Sequence, residues 1–126
     1  MFPVDNPFLA YIGARCIYAN NTGCVLELDL NPHLTNSWGN GHGGVLMTLM
    51  DVSMSWAARF YTEQNMGAMT INFNATFIKA AKQKLIVKAC VIKTTSTLAF
   101  CESKIFEQDE LVATATATFK YAKKLA

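Results

Sequence analysis

The chain has 126 residues, 52% of them hydrophobic and only 16% charged, a length that suits one domain and excludes a catalytic cleft between two domains of the same chain. A formal charge of +2, from 11 Lys and Arg against 9 Asp and Glu, is too balanced to read as a nucleic-acid surface, and this hydrophobicity excludes intrinsic disorder. So short and weakly charged a chain is expected to cover part of its apolar surface with another copy of itself, because small domains have proportionally the most surface to hide.

The N-terminus, Met1-Phe2-Pro3-Val4-Asp5, has neither the basic region nor the long apolar stretch of a secretory signal. Asn6 to Ile12 reads as a short lead-in helix, followed by a strand from about Gly13 to Tyr18. Asn20-Asn21-Thr22-Gly23 is a strong turn signal, and Cys24 to Leu30 reads as the returning strand of a hairpin. A polar loop from Asn31 to Gly41 precedes a helix predicted over Gly44 to Tyr61. Its apolar residues, from Val45 to Phe60, occupy more than one face and predict burial nearly all round. Asp51 is the only charge in this helix before Arg59. A lone carboxylate in a buried helix is costly unless hydrogen-bonded or paired, which makes Asp51 the first candidate functional residue. The uncharged run from Leu30 to Met50 is no membrane span, since Asn31, Pro32, Asn36, Asn40, His42 and its glycines could not be satisfied in hydrocarbon.

Four strand-like runs close the chain. In Met69 to Ile78, Thr70, Asn72, Asn74 and Thr76 alternate with Ile71, Phe73, Ala75 and Phe77, which predicts one wet face and one dry face. Lys84 to Thr94 and Leu98 to Phe106 are joined across Thr95-Ser96-Thr97, and Gln108-Asp109 turns the chain into Leu111 to Tyr121. The repeated Ala113, Ala115 and Ala117 on one face of that strand predict close approach by something bulky, the helix. The sum is an α+β domain spanning 1–126, in which an antiparallel sheet of five or six strands wraps one long helix. Cys16, Cys24, Cys90 and Cys101 form no C-x-x-C pair, which argues against a zinc or redox site and for a reducing, cytoplasmic compartment. Lys79, Lys82, Lys84, Lys88 and Lys93 cluster as either a solvated sheet face or a patch for a phosphate-bearing ligand.

Asn36 to Asp51 concentrates the unusual residues. The glycine pair Gly43-Gly44 at a helix start lets a ligand approach the backbone, and the first N–H groups of a helix lack intrahelical partners. Together with the helix dipole they can stabilise negative charge developing on a carbonyl oxygen. Gly43 and Asp51 are eight residues apart, roughly 12 Å along the axis at about 1.5 Å per residue. One substrate carbonyl cannot touch both, so if both act, two copies related by a two-fold axis must share the site.

Asn36, the triplet His42-Gly43-Gly44, Asp51 nine residues after the histidine, and the strand Thr70-Ile71-Asn72-Phe73-Asn74-Ala75-Thr76-Phe77 together resemble the hotdog-fold acyl-CoA thioesterases of the phenylacetate-degradation and thioesterase-superfamily-member-2 type. The resemblance runs from about Asn6 to Lys120. It implies a hotdog fold and hydrolysis of acyl-CoA to free acid and coenzyme A. Asp51 would be general base or nucleophile, the Gly43 N–H an oxyanion-hole donor, and Asn36 a group positioning the carbonyl or the water. His42 would hold the loop, and Thr70 would help Asp51 hold the attacking water. Coenzyme A would lie along Phe77 to Lys82 and Lys93 to Leu98, with Phe77, Lys79, Lys82, Lys93 and Thr97 as the binding candidates. No metal or separate cofactor, no nucleic acid and no membrane is implied, and the partner is a second copy, with a homodimer at least and a homotetramer expected. Lys79-Ala80-Ala81-Lys82-Gln83-Lys84 lacks the Pro and Gly usual for this turn in the family. A non-catalytic acyl-CoA binder and a hotdog hydratase or dehydratase are the alternative functions.

Overall fold

The computed structural model describes residues 5–62 and 66–123, so Met1 to Val4 of the N-terminal reading lie outside the described residues. Helix α1 (Pro7–Ile12) opens on Asn6, whose side-chain oxygen accepts from the Leu9 N–H at 3.0 Å, and closes on Gly13 at φ +85°. Strands β1 (Arg15–Asn20) and β2 (Gly23–Leu28) form the expected hairpin, with β1 displaced along the chain because Gly13 serves as helix cap. The polar loop holds a short 3-10 turn, Pro32–Leu34. Helix α2 (Gly43–Tyr61) is followed by β3 (Met66–Phe77), β4 (Leu85–Thr94), β5 (Leu98–Glu107) and β6 (Glu110–Lys123).

The six strands make one antiparallel sheet in the order β1-β2-β4-β5-β6-β3, so the strand that follows α2 crosses over to become an edge. Helix α2 lies across one face. Its Leu46, Leu49, Met50, Met54 and Ala57 are buried with Leu26, Leu85, Val87, Ile105 and Phe119 of the sheet. Apart from Ala57, each such side chain contributes about 1.5–3 kcal/mol on full burial. Ala113, Ala115 and Ala117 are buried in the same core, and the Tyr121 hydroxyl donates to the Ala58 carbonyl at 2.8 Å, tying β6 to the helix. At the β5–β6 turn, Gln108 and Asp109 both adopt left-handed backbone, φ +49° and +65°, between the paired Glu107 and Glu110.

Two expectations need correction. Helix α2 is not buried all round: Gly44 and Met47 are exposed, and Thr48, Asp51 and Ser55 are only half-buried. The sheet covers one side of the helix, and these positions fall on the stripe it leaves open. The second correction concerns β3, where strict alternation fails. Thr70 pairs with Phe119 and Asn72 with Thr118, so Ile71 is an extra, bulged residue. The bulge shifts the phase by one. Thr70, which alternation placed on the wet face opposite Phe73, comes to the helix side with Phe73, and Ile71 is left 58% exposed.

Gly23 begins β2 at φ +146°, where a Cβ would sit 2.4 Å from the Ala89 carbonyl oxygen on β4. Gly13 is also left-handed, but a Cβ there meets nothing within 4 Å. Gly23→Ala is therefore expected to lower stability by about 3 kcal/mol, combining backbone strain with a backbone clash. Gly13→Ala should cost only about 1–2 kcal/mol of strain. Denaturant midpoints of the two variants check the order, and equal losses would show that β2 and β4 are not packed as described.

Candidate active site

The N-terminus of α2 is built around His42. Its backbone is extended (φ −64°, ψ 132°), its N–H donates to the Leu34 carbonyl at 2.9 Å, and its Nδ1 accepts the Gly44 N–H at 2.9 Å. The imidazole is therefore an N-cap, a task usually given to Ser, Thr, Asp or Asn. A Cβ on Gly44 would lie 3.0 Å from two imidazole atoms, Cε1 and Nδ1. The two glycines thus have different jobs. Gly44 makes room for the histidine ring, whereas Gly43 leaves its backbone unengaged: its amide has no acceptor among the described residues, and a Cβ there would only touch the Phe77 ring at 3.9 Å.

Asn36 organises the loop that leads to this cap. Its side-chain oxygen accepts from the N–H groups of Trp38 (3.0 Å) and Asn40 (3.1 Å), and its own N–H donates to the Asn40 carbonyl at 2.7 Å. The side-chain NH2 has no acceptor among the described residues. Asn36, Gly43, Phe77 and Lys79 all line one cleft of about 340 Å³. Trp38 and Ile78 line it as well, Trp38 being 87% exposed. Ile78 falls within the Phe77 to Lys82 segment expected along coenzyme A, whereas Trp38 was assigned no role from the sequence; the available signal was an aromatic residue inside a largely polar loop.

Asp51 lies elsewhere. Its carboxylate accepts the Thr70 hydroxyl at 2.6 Å, and both line a second cleft of about 390 Å³ with Gly44, Met47, Thr48 and Phe73. The Thr48 hydroxyl donates to the Gly44 carbonyl at 2.8 Å, leaving Asp51 and Thr70 as the polar pair facing Met47 and Phe73. The carboxylate is neither isolated nor deeply buried, because it sits on the open stripe of α2. Within one chain the structure brings Asn36 to Gly43 and Thr70 to Asp51, but keeps the two pairs in separate clefts.

The expected coenzyme A residues also divide. Lys79 pairs with Glu110, which raises its pKa chiefly through their hydrogen bond. The N–H groups of Lys82 and Gln83 both donate to one Glu107 carboxylate oxygen, at 2.6 and 2.7 Å. Lys93 and Thr97 stand at the other end of β4, whose ten residues span about 30 Å at about 3.3 Å per residue. Burial pushes the thiols of Cys24 and Cys90 up, and that of Cys101 to about 12. None of these thiols is a ready nucleophile. Among the described residues no group of three or more His, Cys, Asp and Glu is placed to hold a metal ion, and no helix is long and apolar enough to cross a membrane.

The thioesterase superfamily profile matches residues 39–114. Acyl-coenzyme A thioesterase 13 of Mus musculus is 32% identical over 78 residues, 60% of this chain and 55% of the mouse protein, so the chain spans little more than half of that relative. Zebra fish thioesterase superfamily member 2 superposes with a TM-score of 0.83 at 25% identity, covering 92% of this chain and 88% of that one. A variant of the phenylacetic acid degradation protein PaaI of Thermus thermophilus has the same fold, with a TM-score of 0.83 at 18% identity over 91% of this chain and 98% of its own.

The fit between His42 and Gly44 makes a non-additive prediction. His42→Ala should cost about 1 kcal/mol as a lost cap. Gly44→Ala alone should gain nothing, because the roughly 1 kcal/mol of helix propensity is offset by displacing the ring from its cap. In the His42→Ala background the same Gly44→Ala change should recover that gain. A urea-denaturation cycle over the four proteins measures the coupling, and strict additivity would contradict the described cap.

Proposed function

The chain belongs to the thioesterase superfamily, and we propose that it hydrolyses acyl-CoA thioesters to the free acid and coenzyme A at a site completed by two copies of the chain. The observation that carries this reading is the division of the machinery. The open Gly43 amide and Asp51, which Thr70 of β3 bonds, are on one rigid helix about 12 Å apart, and line different clefts. A two-fold axis that sets two α2 helices side by side in opposite directions brings the Gly43 cleft of one copy against the Asp51 cleft of the other. The surface available for such pairing is apolar. Met69 and Ile71 of the edge strand β3 are 60% and 58% exposed, and Met47 on α2 is exposed beside Asp51.

In the shared site the thioester oxygen accepts from the Gly43 N–H, where the positive end of α2 stabilises charge developing on it. The Asn36 side-chain NH2, on a residue lining the same cleft, orients the carbonyl or the water. Asp51 takes a proton from the attacking water, or itself attacks the carbonyl carbon, while Thr70 holds the carboxylate in place. With water as nucleophile the C–S bond breaks and the thiolate leaves with the proton Asp51 took, as free coenzyme A. With Asp51 as nucleophile the thiolate leaves first and takes its proton from solvent, and a water then cleaves the acyl–aspartyl anhydride, freeing the acid and restoring the carboxylate. The route needs neither metal nor bound cofactor. Phe77, Lys79 and Lys82 lie on the Gly43 side for the coenzyme A arm, with lysines as point-charge partners for phosphate. Lys93 and Thr97 meet the same ligand only if the second copy brings its far end round. A hydratase reading fares worse, because the His42 Nδ1 is committed to the Gly44 N–H rather than to a carboxylate.

Asp51→Ala should lower turnover by about 10²–10⁴ while leaving the fold intact; unchanged hydrolysis of an acyl-CoA panel would sink the assignment. Gly43→Pro removes the proposed oxyanion donor with little cost to the helix. Proline is tolerated at a first helical position, and the extended His42 suits a residue before proline. Its expected loss is about 10²–10³ in kcat. Equal amounts of the two inactive variants, unfolded and refolded together, should recover about a quarter of wild-type activity, since half the dimers are mixed and each mixed dimer has one intact site. No recovery on mixing would place the whole site within one chain.

A further inference from the structure

We infer that Glu107, outside both clefts at the start of the β5–β6 turn, is a positioning residue for the Gly43 side of the site. Its kinetic consequence rests on the thioesterase reading; its structural consequence does not. The segment 78–84 between β3 and β4 contains no glycine or proline to set its course, so its shape is imposed by bonds to other elements. The N–H groups of Ile78 and Lys79 donate to the Val112 carbonyl at 2.8 and 3.1 Å, anchoring the entry. The exit is held by Glu107, one carboxylate oxygen accepting the consecutive N–H groups of Lys82 (2.6 Å) and Gln83 (2.7 Å). Gln108 reinforces the exit, its Nε2 donating to the Gln83 side-chain oxygen at 2.7 Å.

Between these anchors, Ala81 is 1% exposed and its carbonyl accepts the Gly41 N–H at 2.7 Å. Gly41 immediately precedes the His42 cap and the Gly43 amide. The connection therefore runs from the Glu107 carboxylate through the Lys82 and Gln83 amides to Ala81, and from the Ala81 carbonyl to Gly41. Ala80, Ala81 and Gly41 line the same cleft as Gly43 and Lys79. Two consecutive amides converging on one oxygen form a small anion-binding concavity. Bonds to an ionised acceptor are roughly twice as strong as neutral ones. The carboxylate is itself well placed, because Gln108 and Asp109 hold the adjoining turn in left-handed backbone. Without it, two amides lose their acceptor, and nothing local in 78–84 holds Ala81 against Gly41. Asp51 and Thr70, in the other cleft, have no bond to this chain of contacts.

The test compares Glu107→Ala, Glu107→Gln and, as a control in the same turn, Asp109→Asn. Amide hydrogen exchange at Gly41, read by NMR on the protein without ligand, should speed up by about tenfold or more in Glu107→Ala. It should return near the wild-type rate in Glu107→Gln, whose side-chain oxygen still accepts, and stay unchanged in Asp109→Asn. With an acyl-CoA substrate, Glu107→Ala should raise KM about tenfold with kcat within about threefold, and Glu107→Gln should restore KM. A merely structural role would do the reverse, lowering apparent kcat through loss of folded protein at constant KM. If Glu107→Ala does not fold, Glu107→Asp replaces it, keeping the charge but falling one methylene short, with the same faster exchange expected. A folded Glu107→Ala or Glu107→Asp protein with wild-type Gly41 exchange overturns the inference. A wild-type protein that hydrolyses no acyl-CoA overturns the thioesterase reading instead, and the exchange experiment still decides the role of Glu107.

Discussion

An α-helix is a rigid ruler, and most of this molecule follows from where two groups fall on one. Gly43 is the first residue of α2 and Asp51 is two turns further on. At about 1.5 Å per residue no side-chain rotation brings the second to a ligand held by the amide of the first. The rest of the fold is arranged consistently with that separation. The sheet buries only one side of α2, leaving the stripe of Gly44, Met47, Thr48, Asp51 and Ser55 without full cover. The strand next to that stripe, β3, is an edge with an unpaired side and exposed Met69 and Ile71. Edge strands that present apolar residues are a liability unless something covers them.

Much of this was legible from residue types. The long helix, the Asn-Asn-Thr-Gly hairpin, the run of strands and the alanine stripe all rest on periodicity and turn chemistry, which are local. Asp51 stood out because a carboxylate among apolar helix residues has few explanations. Its partner was harder to place. Thr70 was on the wrong face by simple alternation, and only the bulge at Ile71 carries it to the helix side. Nothing in Thr70-Ile71-Asn72 announces a bulge, since Ile suits a regular strand equally well. The register was decided by the partner strand β6, and pairing between distant strands is not written in either one alone. The open stripe of α2 was misread for another reason. Gly44, Thr48, Asp51 and Ser55 recur at helical spacing among apolar neighbours, and a count of apolar residues alone passes over that narrow polar face.

The glycines and the 78–84 segment show how a local signal and a tertiary one can stand in for each other. A glycine pair at a helix start suggested two open amides, yet one of them is consumed by a histidine whose ring fits because the next-but-one residue has no side chain. Conversely, the 78–84 segment lacks the Pro and Gly usual for this turn in the family, yet it is fixed by a carboxylate, two glutamines and a buried alanine contributed by or shared with other elements. Local conformational preference of this kind is worth about 1 kcal/mol per position. A charge-assisted bond to the backbone is worth at least as much, so the missing preference is replaced in energy as well as in geometry.

The same substitution of far for near bears on how this site keeps water in check. A thioesterase must admit one water to the carbonyl and exclude the rest, because bulk solvent would weaken the donors aimed at the developing oxyanion. In a single chain both clefts are open, with Asn36, Lys79 and the Gly43 amide lining one and Thr48, Asp51 and Thr70 the other. Facing the two clefts toward each other across a two-fold axis closes each with the other's apolar wall, Met47 and Phe73 on one side and Phe77 and Ile78 on the other. Such an arrangement needs no lid and no second domain. The apolar surface that makes the chain uncomfortable alone is, on this reading, the material from which the site's water barrier is assembled.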